Sequence, residues 1–207
     1  MKSSSLAEDF KNSSLVTFLD ALDKRASGLI HHWELPAFLQ VIIGFFATLC
    51  NKEGPLAIMA IVGLVLPRLE DPQPKPYFVI HYGLQYFATA MTALVWVVIL
   101  KKFWRRPRPR PPTGIKRLFN LRGKEIDCSW PSGDTTQASV FSAYLAVNMP
   151  FVVARIPGGH LTLALFVALC ALGRVYYHCH FIGDTLGGAF LGAVCVLVNA
   201  GLTQLIV

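Results

Sequence analysis

The chain has 207 residues, of which 54% are hydrophobic and only 15% are charged, and its formal net charge at pH 7 is +7. The apolar residues fall in long blocks rather than on one face of short elements, which excludes an ordinary soluble domain. Five scattered cysteines contain no CxxC pair, so neither a zinc cluster nor a disulfide framework is predicted.

The first segment, residues 1–34, is predicted to be an arm outside the membrane. Acidic residues interrupt its apolar stretches, so it lacks the apolar core and the cleavage site of a secretory signal. Its apolar residues are spaced for one face of a helix, which predicts an amphipathic helix on the bilayer surface. These residues are Leu15, Phe18, Leu19, Leu22, Leu29, Ile30 and Trp33. A soluble helix packed on the end of a helical bundle is the alternative.

Residues 35–207 are predicted to form one domain of six membrane-spanning helices. A span needs about 20 mostly apolar residues. The candidate stretches are Leu35–Cys50, Pro55–Pro67, Tyr77–Leu100, Thr136–Ala154, Leu161–Tyr177 and Ile182–Val207. The first two are short, and the tight turn between them predicts a helical hairpin. The predicted fold class is all-α, a six-transmembrane-helix bundle with an N-terminal amphipathic interfacial helix.

Two polar loops, residues 101–135 and 174–184, are predicted to share one face of the membrane. The chain crosses the bilayer twice between them, so both must lie on the same side, and residues 155–159 lie on the other. Lys and Arg are more numerous on the shared face, which the positive-inside rule would make cytosolic. Phosphate binding is a second reason for cations there, so the orientation stays open.

The first of these loops opens on a basic run from Lys101 to Arg110. A lysine and planar guanidinium groups suit phosphate oxygens, and Arg108 is a candidate for this role. Taken alone, the run is more typical of a juxtamembrane cluster attracted to anionic lipid headgroups. Nucleic-acid binding is a weaker alternative, because the run is short and tethered to a membrane. No nucleic-acid partner is expected.

The same loop ends in Pro131-Ser132-Gly133-Asp134, directly before an apolar helix. Ser132 or Asp134 can cap that helix, and Gly133 lets the backbone approach a ligand closely. The unpaired N–H groups and the positive dipole end of a helix N-terminus suit an anion. An ordinary capped helix start explains the same residues, and taken alone it is the preferred interpretation.

The second loop carries Arg174, His180 and Asp184. His180 and Asp184 are four residues apart, so they can face the same way if Asp184 lies on the first turn of the last helix. A carboxylate that holds one ring nitrogen directs the other nitrogen outward as a nucleophile or base. The alternative is a histidine and an acid that satisfy each other at a helix end. No metal site is predicted, because no carboxylate cluster accompanies His178 and His180.

Together, the order and spacing of these motifs resemble the type 2 phosphatidic acid phosphatase family. The likeness runs from about Asp20 to the C-terminus. It implies a lipid phosphatase whose six-helix bundle is related to that of vanadium haloperoxidases. The implied phosphatase uses no metal or other cofactor and acts on a lipid phosphate or diphosphate in the bilayer. The implied site residues are His180 as the nucleophile that forms a phosphohistidine, Asp184 as its orienting acid, and Lys101, Arg108, Ser132, Gly133 and Arg174 as phosphate ligands.

Two positions depart from the family pattern. Gly173 stands where the family has serine, and Asp134 stands where the family has the histidine that protonates the leaving group. A catalytic aspartate must keep a proton, which needs a raised pKa, whereas the nearby cations are expected to lower that pKa. General-acid assistance contributes about 10²–10⁴-fold. We therefore expect Asp134 to favour lipid diphosphates, such as polyprenyl diphosphates, whose phosphate leaving group departs without a proton.

Two other function classes stay open. A catalytically weak or inactive relative would bind phospholipid headgroups or a protein partner, and Asp134 favours this alternative. A small transporter would show polar groups at mid-span or an internal repeat, and only Gln137 and Asn148 hint at the former. We expect a multi-pass protein of the endoplasmic reticulum or plasma membrane, and the sequence leaves its oligomeric state open.

Overall fold

The described part of the chain, residues 14–51 and 54–206 of a computed structural model, forms helices and no strand. The helices are α1 (Ser14–His31), α2 (Ala37–Leu49), α3 (Gly54–Ala60), α4 (Pro76–Trp104), α5 (Gly133–Asn148), α6 (Pro150–Val153), α7 (Gly159–Tyr176) and α8 (Ile182–Ile206). A π-helical turn (Ile61–Val65) and a 3-10 turn (Leu66–Leu69) extend α3, and Arg122–Lys124 forms another 3-10 turn. The all-α prediction is confirmed for these residues.

Three stretches of helix are long and apolar enough to cross a bilayer: Ile80–Trp104, Gly159–Tyr176 and Ile182–Thr203. The pair Ala37–Leu49 and Gly54–Leu69 adds a fourth if the two helices, bent by 81°, count as one span. The chain is therefore an integral membrane protein. Within the described residues, length and composition support three or four spans, and the count of six stays a prediction.

The predicted span Thr136–Ala154 is interrupted in the structure. Helix α5 ends at Asn148, and the short helix α6 begins at Pro150. Proline has no N–H to donate to the preceding turn and its ring clashes with that turn, so a helix usually ends before it. The predicted hairpin from Leu35 to Pro67 also differs, because its two helices meet at 81° rather than running side by side.

Helix α5 packs on α4, α7 and most extensively on α8. A Cβ atom on Gly188 of α8 would lie 2.5 Å from the Ser132 carbonyl oxygen. A Cβ atom on Gly192 would lie 2.5 Å from the Thr136 carbonyl oxygen. Only glycine lets the two backbones approach so closely. The start of α5 is thereby held against the start of α8, where the Ser132 N–H donates to the Asp184 carbonyl at 2.9 Å.

The arm is helical from Ser14 to His31 in α1, and residues 1–13 lie outside the described part. Its polar side packs on the bundle, where Ser27 and His31 are buried. Its apolar side faces outward, with Phe18 64% and Leu29 72% exposed. Helix α1 contacts α7 and α8, as expected from the alternative prediction that this helix packs on the end of the bundle. Placement on the bilayer surface stays a prediction.

Candidate active site

A cavity of about 690 Å³ opens between the end of α4, the start of α5 and the end of α7. Six of the predicted site residues line it: Lys101, Arg108, Gly133, Asp134, Arg174 and His180. The acidic side chains Glu125 and Asp127 line it as well. Ser132 and Asp184 are outside this lining and are fully buried. The two loops that the sequence predicts on one face therefore meet in one cavity.

His180 lies in the turn between α7 and α8, with its ring 1% exposed. Its Nε2 is 3.1 Å from Nη1 of Arg108. A guanidinium group can only donate, so Nε2 is the ring nitrogen that carries the lone pair and Nδ1 carries the proton. Burial, reinforced by Arg174 and Arg108, lowers the pKa of His180 to about 4. The ring is therefore neutral at neutral pH, and its lone pair faces a cation.

Asp184 lies behind the His180 ring but does not form the predicted hydrogen bond with it. Its Oδ2 is 3.6 Å from Nδ1, which is beyond hydrogen-bond distance. That nitrogen has no hydrogen-bond partner among the described residues. The Asp184 carboxylate instead accepts from Arg106 Nη1 at 2.6 Å and from the Phe181 N–H at 2.8 Å. These two donors fix the position of the acid behind the ring.

The three predicted phosphate-binding cations, here called the cation cluster (Lys101, Arg108 and Arg174), all contact carboxylates. Lys101 Nζ donates to Asp127 Oδ2 at 2.7 Å. Arg108 Nη2 lies 2.8 Å from Glu125 Oε2 and also pairs with Asp127. Arg174 Nη2 pairs with Glu125 Oε1. Two acidic side chains of one loop thus bridge the cations to which the oxygens of a phosphate would bind.

Both loop carboxyl groups have a pKa below the usual range. Burial raises the pKa of Glu125, but the charges of Arg174 and Arg108 outweigh burial and lower it. Burial acts in the same way on Asp127, and its contacts with Lys101 and Arg108 lower its pKa. A carboxyl group with a depressed pKa is ionised at neutral pH, and it stays ionised at an acid pH at which a free side chain would already be protonated. These two side chains therefore offset two of the three positive charges of the cation cluster throughout the neutral range.

Asp134 lies on the first turn of α5, and its Oδ2 is 2.9 Å from Nε of Arg174. Burial raises the pKa of Asp134, while the charges of Arg174 and Lys101 oppose that change. The prediction that nearby cations lower this pKa is wrong, because the loss of hydration outweighs them. Asp134 therefore keeps its proton up to a higher pH than a free aspartate does.

Ser132 and Gly133 have different places at the start of α5. The Ser132 Oγ caps the helix by accepting from the Thr135 N–H at 3.4 Å, and its own N–H donates to the Asp184 carbonyl. Its N–H is therefore already bonded in this structure and faces away from the cavity lining. Gly133 lines the cavity, where its lack of a side chain leaves the helix N-terminus open to an anion.

Sequence reasoning missed Arg106, Glu125 and Asp127. Arg106 is buried, but nothing in the spacing of the basic run separates it from Arg105, which is exposed. A signal for the two acids was present, because they are the only acidic residues in the strongly basic stretch 102–133. Acids retained among so many cations are candidates for ion pairs with them.

The site combines a neutral imidazole nitrogen with cations that can exchange a carboxylate for another anion. Such a combination suits nucleophilic attack on an anionic centre whose developing charge the cations offset. Across residues 14–51 and 54–206, no three His, Cys, Asp or Glu side chains are arranged to hold a metal ion.

The sequence profile of the PAP2 superfamily matches residues 74–204. The chain belongs to the PAP2 superfamily. The matched residues include all the motifs of the sequence analysis, from Lys101 to Asp184. The family resemblance predicted from these motifs is therefore confirmed. Helix α1 precedes the matched region. No curated protein sequence gives a significant match to the chain.

Two solved structures resemble this chain over most of its length. A transmembrane PAP2 type phosphatidylglycerolphosphate phosphatase from Bacillus subtilis has a TM-score of 0.70 and 19% identity, over 98% of this chain and 92% of that one. LpxE from Aquifex aeolicus has a TM-score of 0.63 and 22% identity, over 86% of this chain and 94% of that one. At these identities the likeness establishes the fold.

Proposed function

We propose that this PAP2 protein is a lipid phosphatase of the endoplasmic reticulum or plasma membrane. It hydrolyses a lipid phosphate, and preferentially an isoprenoid or polyprenyl diphosphate. The observation that carries the proposal is the buried His180 ring, whose Nε2 lies 3.1 Å from Arg108 in the cavity lined by the cation cluster. The similar Bacillus subtilis protein is by name a phosphatidylglycerolphosphate phosphatase, which supports a phospholipid phosphate as the substrate class.

The proposed reaction has two steps. In the first, the Nε2 lone pair of His180 attacks phosphorus, the N–P bond forms, and the bond to the leaving oxygen breaks with its electron pair going to that oxygen. In the second, water attacks the phosphohistidine, the N–P bond breaks, and the water's proton passes to solvent as inorganic phosphate leaves. The cation cluster offsets the charge on the three equatorial oxygens, which is the main contribution of a protein to phosphoryl transfer.

Asp184 balances the charge that develops on the ring. When Nε2 bonds to phosphorus while Nδ1 keeps its proton, the imidazole becomes positive. A carboxylate 3.6 Å from Nδ1 stabilises that positive ring, and a small movement would close the gap to a hydrogen bond. Asp184 therefore contributes most after attack begins, when the charge is present.

Asp134 determines the preferred leaving group in this proposal. Burial raises the pKa of Asp134, but its contact with Arg174 at 2.9 Å favours the charged form. In this proposal the contact with Arg174 keeps Asp134 from delivering a proton to the leaving oxygen. The alkoxide expelled from a lipid monophosphate needs a proton, whereas the phosphate monoester expelled from a diphosphate is stable as an anion. Diphosphates are therefore the better substrates.

The test is phosphate release from lipid monophosphates and diphosphates of matched chain, measured with detergent-purified protein in the presence of EDTA. We expect faster release from the diphosphate, and loss of release in His180→Ala. The control is His160→Ala, which alters an exposed histidine at the opposite end of α7. A need for added divalent metal, or full activity in His180→Ala, would contradict the mechanism, and faster release from the monophosphate would contradict the substrate preference.

A second function, binding of phosphorylated headgroups without turnover, is favoured by one observation. Glu125 and Asp127 offset two of the three charges of the cation cluster, so an anionic headgroup could bind simply by replacing these acids. The same experiment separates the two functions. Protection of the protein against thermal unfolding by a lipid phosphate, with no release of phosphate from any member of the panel, would support the binding protein.

A further inference from the structure

Arg106 is a buried cation outside the lining of the phosphate cavity. Its side chain is 8% exposed, and Nη1 lies 2.6 Å from Asp184 Oδ1. Its guanidinium carbon lies 4.4 Å from the centre of the Phe181 ring. The other oxygen of Asp184, Oδ2, faces Nδ1 of His180. Arg106 therefore holds one oxygen of the acid whose second oxygen lies nearest the proposed nucleophile.

The remaining donors of Arg106 contact helix α1. Its Nη2 lies 2.6 Å from Asp20 Oδ1 and 2.8 Å from Asp23 Oδ2, and its Nε donates to Asp20 Oδ1 at 3.0 Å. One guanidinium group thus joins three carboxylates from two helices. Only the planar fork of arginine has enough fixed donors for this geometry, and the single ammonium of a lysine would reach fewer of them.

Helix α1 also caps the helix that carries Asp184. The Ile182 N–H donates to Ser27 Oγ and the Gly183 N–H donates to Asp23 Oδ1, both at 2.8 Å. The first N–H groups of a helix have no partner within the helix, so side chains of α1 provide the acceptors that α8 lacks. Asp184 lies on this first turn. Helix α1 therefore fixes both the backbone and the carboxylate of Asp184.

We propose that Arg106 is a positioning residue, and that α1 is a working part of the active site through Asp20 and Asp23. The chain of contacts runs from α1 to Arg106, from Arg106 to Asp184, and from Asp184 to the proposed nucleophile. This inference rests on the proposed function and states how the nucleophile of that site is oriented. Because α1 precedes residues 74–204, this support comes from outside the region that the superfamily profile matches.

Among the described residues, loss of Arg106 would leave the buried Asp184 carboxylate with the Phe181 N–H as its remaining hydrogen-bond donor and without the charge of Arg106. The carboxylate would then no longer be fixed at Oδ1, and its orientation behind the His180 ring would become variable. A misplacement of about 1 Å in a catalytic arrangement can cost on the order of 10²-fold in rate. The cation cluster would be unchanged, so phosphate binding would be largely retained.

The experiment compares Arg106→Gln, Arg106→Lys and the double variant Asp20→Asn with Asp23→Asn. The control is Glu34→Gln, which removes an exposed acid just beyond α1. We expect kcat to fall about 10²-fold in Arg106→Gln and about tenfold in the other two test variants. We expect KM and the inhibition constant of inorganic phosphate to stay within about threefold of wild type, because these report the cation cluster.

Labelling of His180 by phosphoramidate supplies a readout that needs no lipid turnover. We expect slower labelling in Arg106→Gln and wild-type labelling in Glu34→Gln. These results do not depend on whether the protein hydrolyses any of the lipid phosphates, so the labelling experiment tests the inference separately from the proposed function. Unchanged kcat and labelling in Arg106→Gln would overturn the inference. So would parallel loss of phosphate affinity and thermal stability, because that result would show a role in folding rather than in positioning.

Discussion

Replacing Glu125 by glutamine should make the phosphate site bind phosphate more tightly. In the structure the Glu125 carboxylate lies 2.8 Å from Arg108 and also pairs with Arg174, and its side chain is only 23% exposed. An entering phosphate must displace it from both guanidinium groups. Glutamine keeps the shape of the side chain but competes with a neutral amide oxygen instead of a carboxylate.

The size of the effect follows from the contact that is weakened. A hydrogen bond to a charged group contributes about 1.5–3 kcal/mol, and each 1.4 kcal/mol corresponds to about a factor of ten in affinity. Glu125→Gln should therefore lower the inhibition constant of inorganic phosphate roughly ten- to a hundredfold. Asp127→Asn is the graded comparison, and its effect should be smaller because the Asp127 side chain is 52% exposed and its pairs are screened by water.

The same substitution should make the ligand-free protein less stable. Arg108 and Arg174 are buried and would lose a charged partner, and removing one member of a buried pair is strongly destabilising. Phosphate should restore the loss, because a ligand that binds only the folded state raises the unfolding temperature. The assay is therefore phosphate inhibition together with thermal unfolding at rising phosphate concentration. Wild-type or weaker phosphate affinity in Glu125→Gln would refute the argument that this carboxylate competes for the site.

Three further outcomes are expected. In the ligand-free protein the His180 ring should stay neutral as pH falls and gain its proton only through about pH 4, measured by NMR titration of the ring; a proton gained near 6.5, the usual histidine value, would contradict this. Asp134→His should raise monophosphate turnover about 10²-fold and change diphosphate turnover little; equal changes in both would show that no proton donor was missing. Gly188→Ala should lower both the unfolding temperature and activity, since its Cβ would lie 2.5 Å from a backbone oxygen and overpacking costs about 1–3 kcal/mol. Gly201→Ala is its control, because nothing lies within 4 Å of that position.

Counting membrane crossings was enough to predict which loops meet. Lys101, Arg174 and His180 belong to different elements, yet all three line one cavity. The expectation assumed two crossings between the loops. Within the described residues, only Gly159–Tyr176 in that interval is long and apolar enough to span a bilayer, so the two crossings stay a prediction. The meeting of the two loops in one cavity is what the structure shows.

The direction of helix α1 could not be predicted from its pattern alone. Periodicity showed that Phe18 and Leu29 share a face, but it did not show which side of the helix would meet the protein. In a soluble protein the apolar face would pack inward. Here both side chains are exposed and the polar side packs inward against the bundle. This is the arrangement that the predicted position at the bilayer surface would favour.

The partners of Arg106 were equally hidden in the sequence. Asp20 precedes Arg106 by 86 residues, and no local pattern links a carboxylate on one helix with a cation in a distant loop. Motif spacing identified six residues that line the cavity, but it missed the acids Glu125 and Asp127. The second layer of contacts is set by tertiary packing, and a single sequence carries no signal for it.

The charge balance of the cavity suggests why an aspartate at position 134 is compatible with a phosphate site. The cation cluster faces three acids: Glu125, Asp127 and Asp134. Glu125 and Asp127 belong to a loop and can withdraw when phosphate enters, whereas Asp134 is fixed on the first turn of α5. A bound phosphate therefore lies near one carboxylate that cannot leave, and the contact of that carboxylate with Arg174 reduces the repulsion between the two anions. Arg174, which contacts both Glu125 and Asp134, then loses one partner and keeps the other. The departure of the loop acids, rather than the number of cations, is thus the step on which phosphate affinity depends.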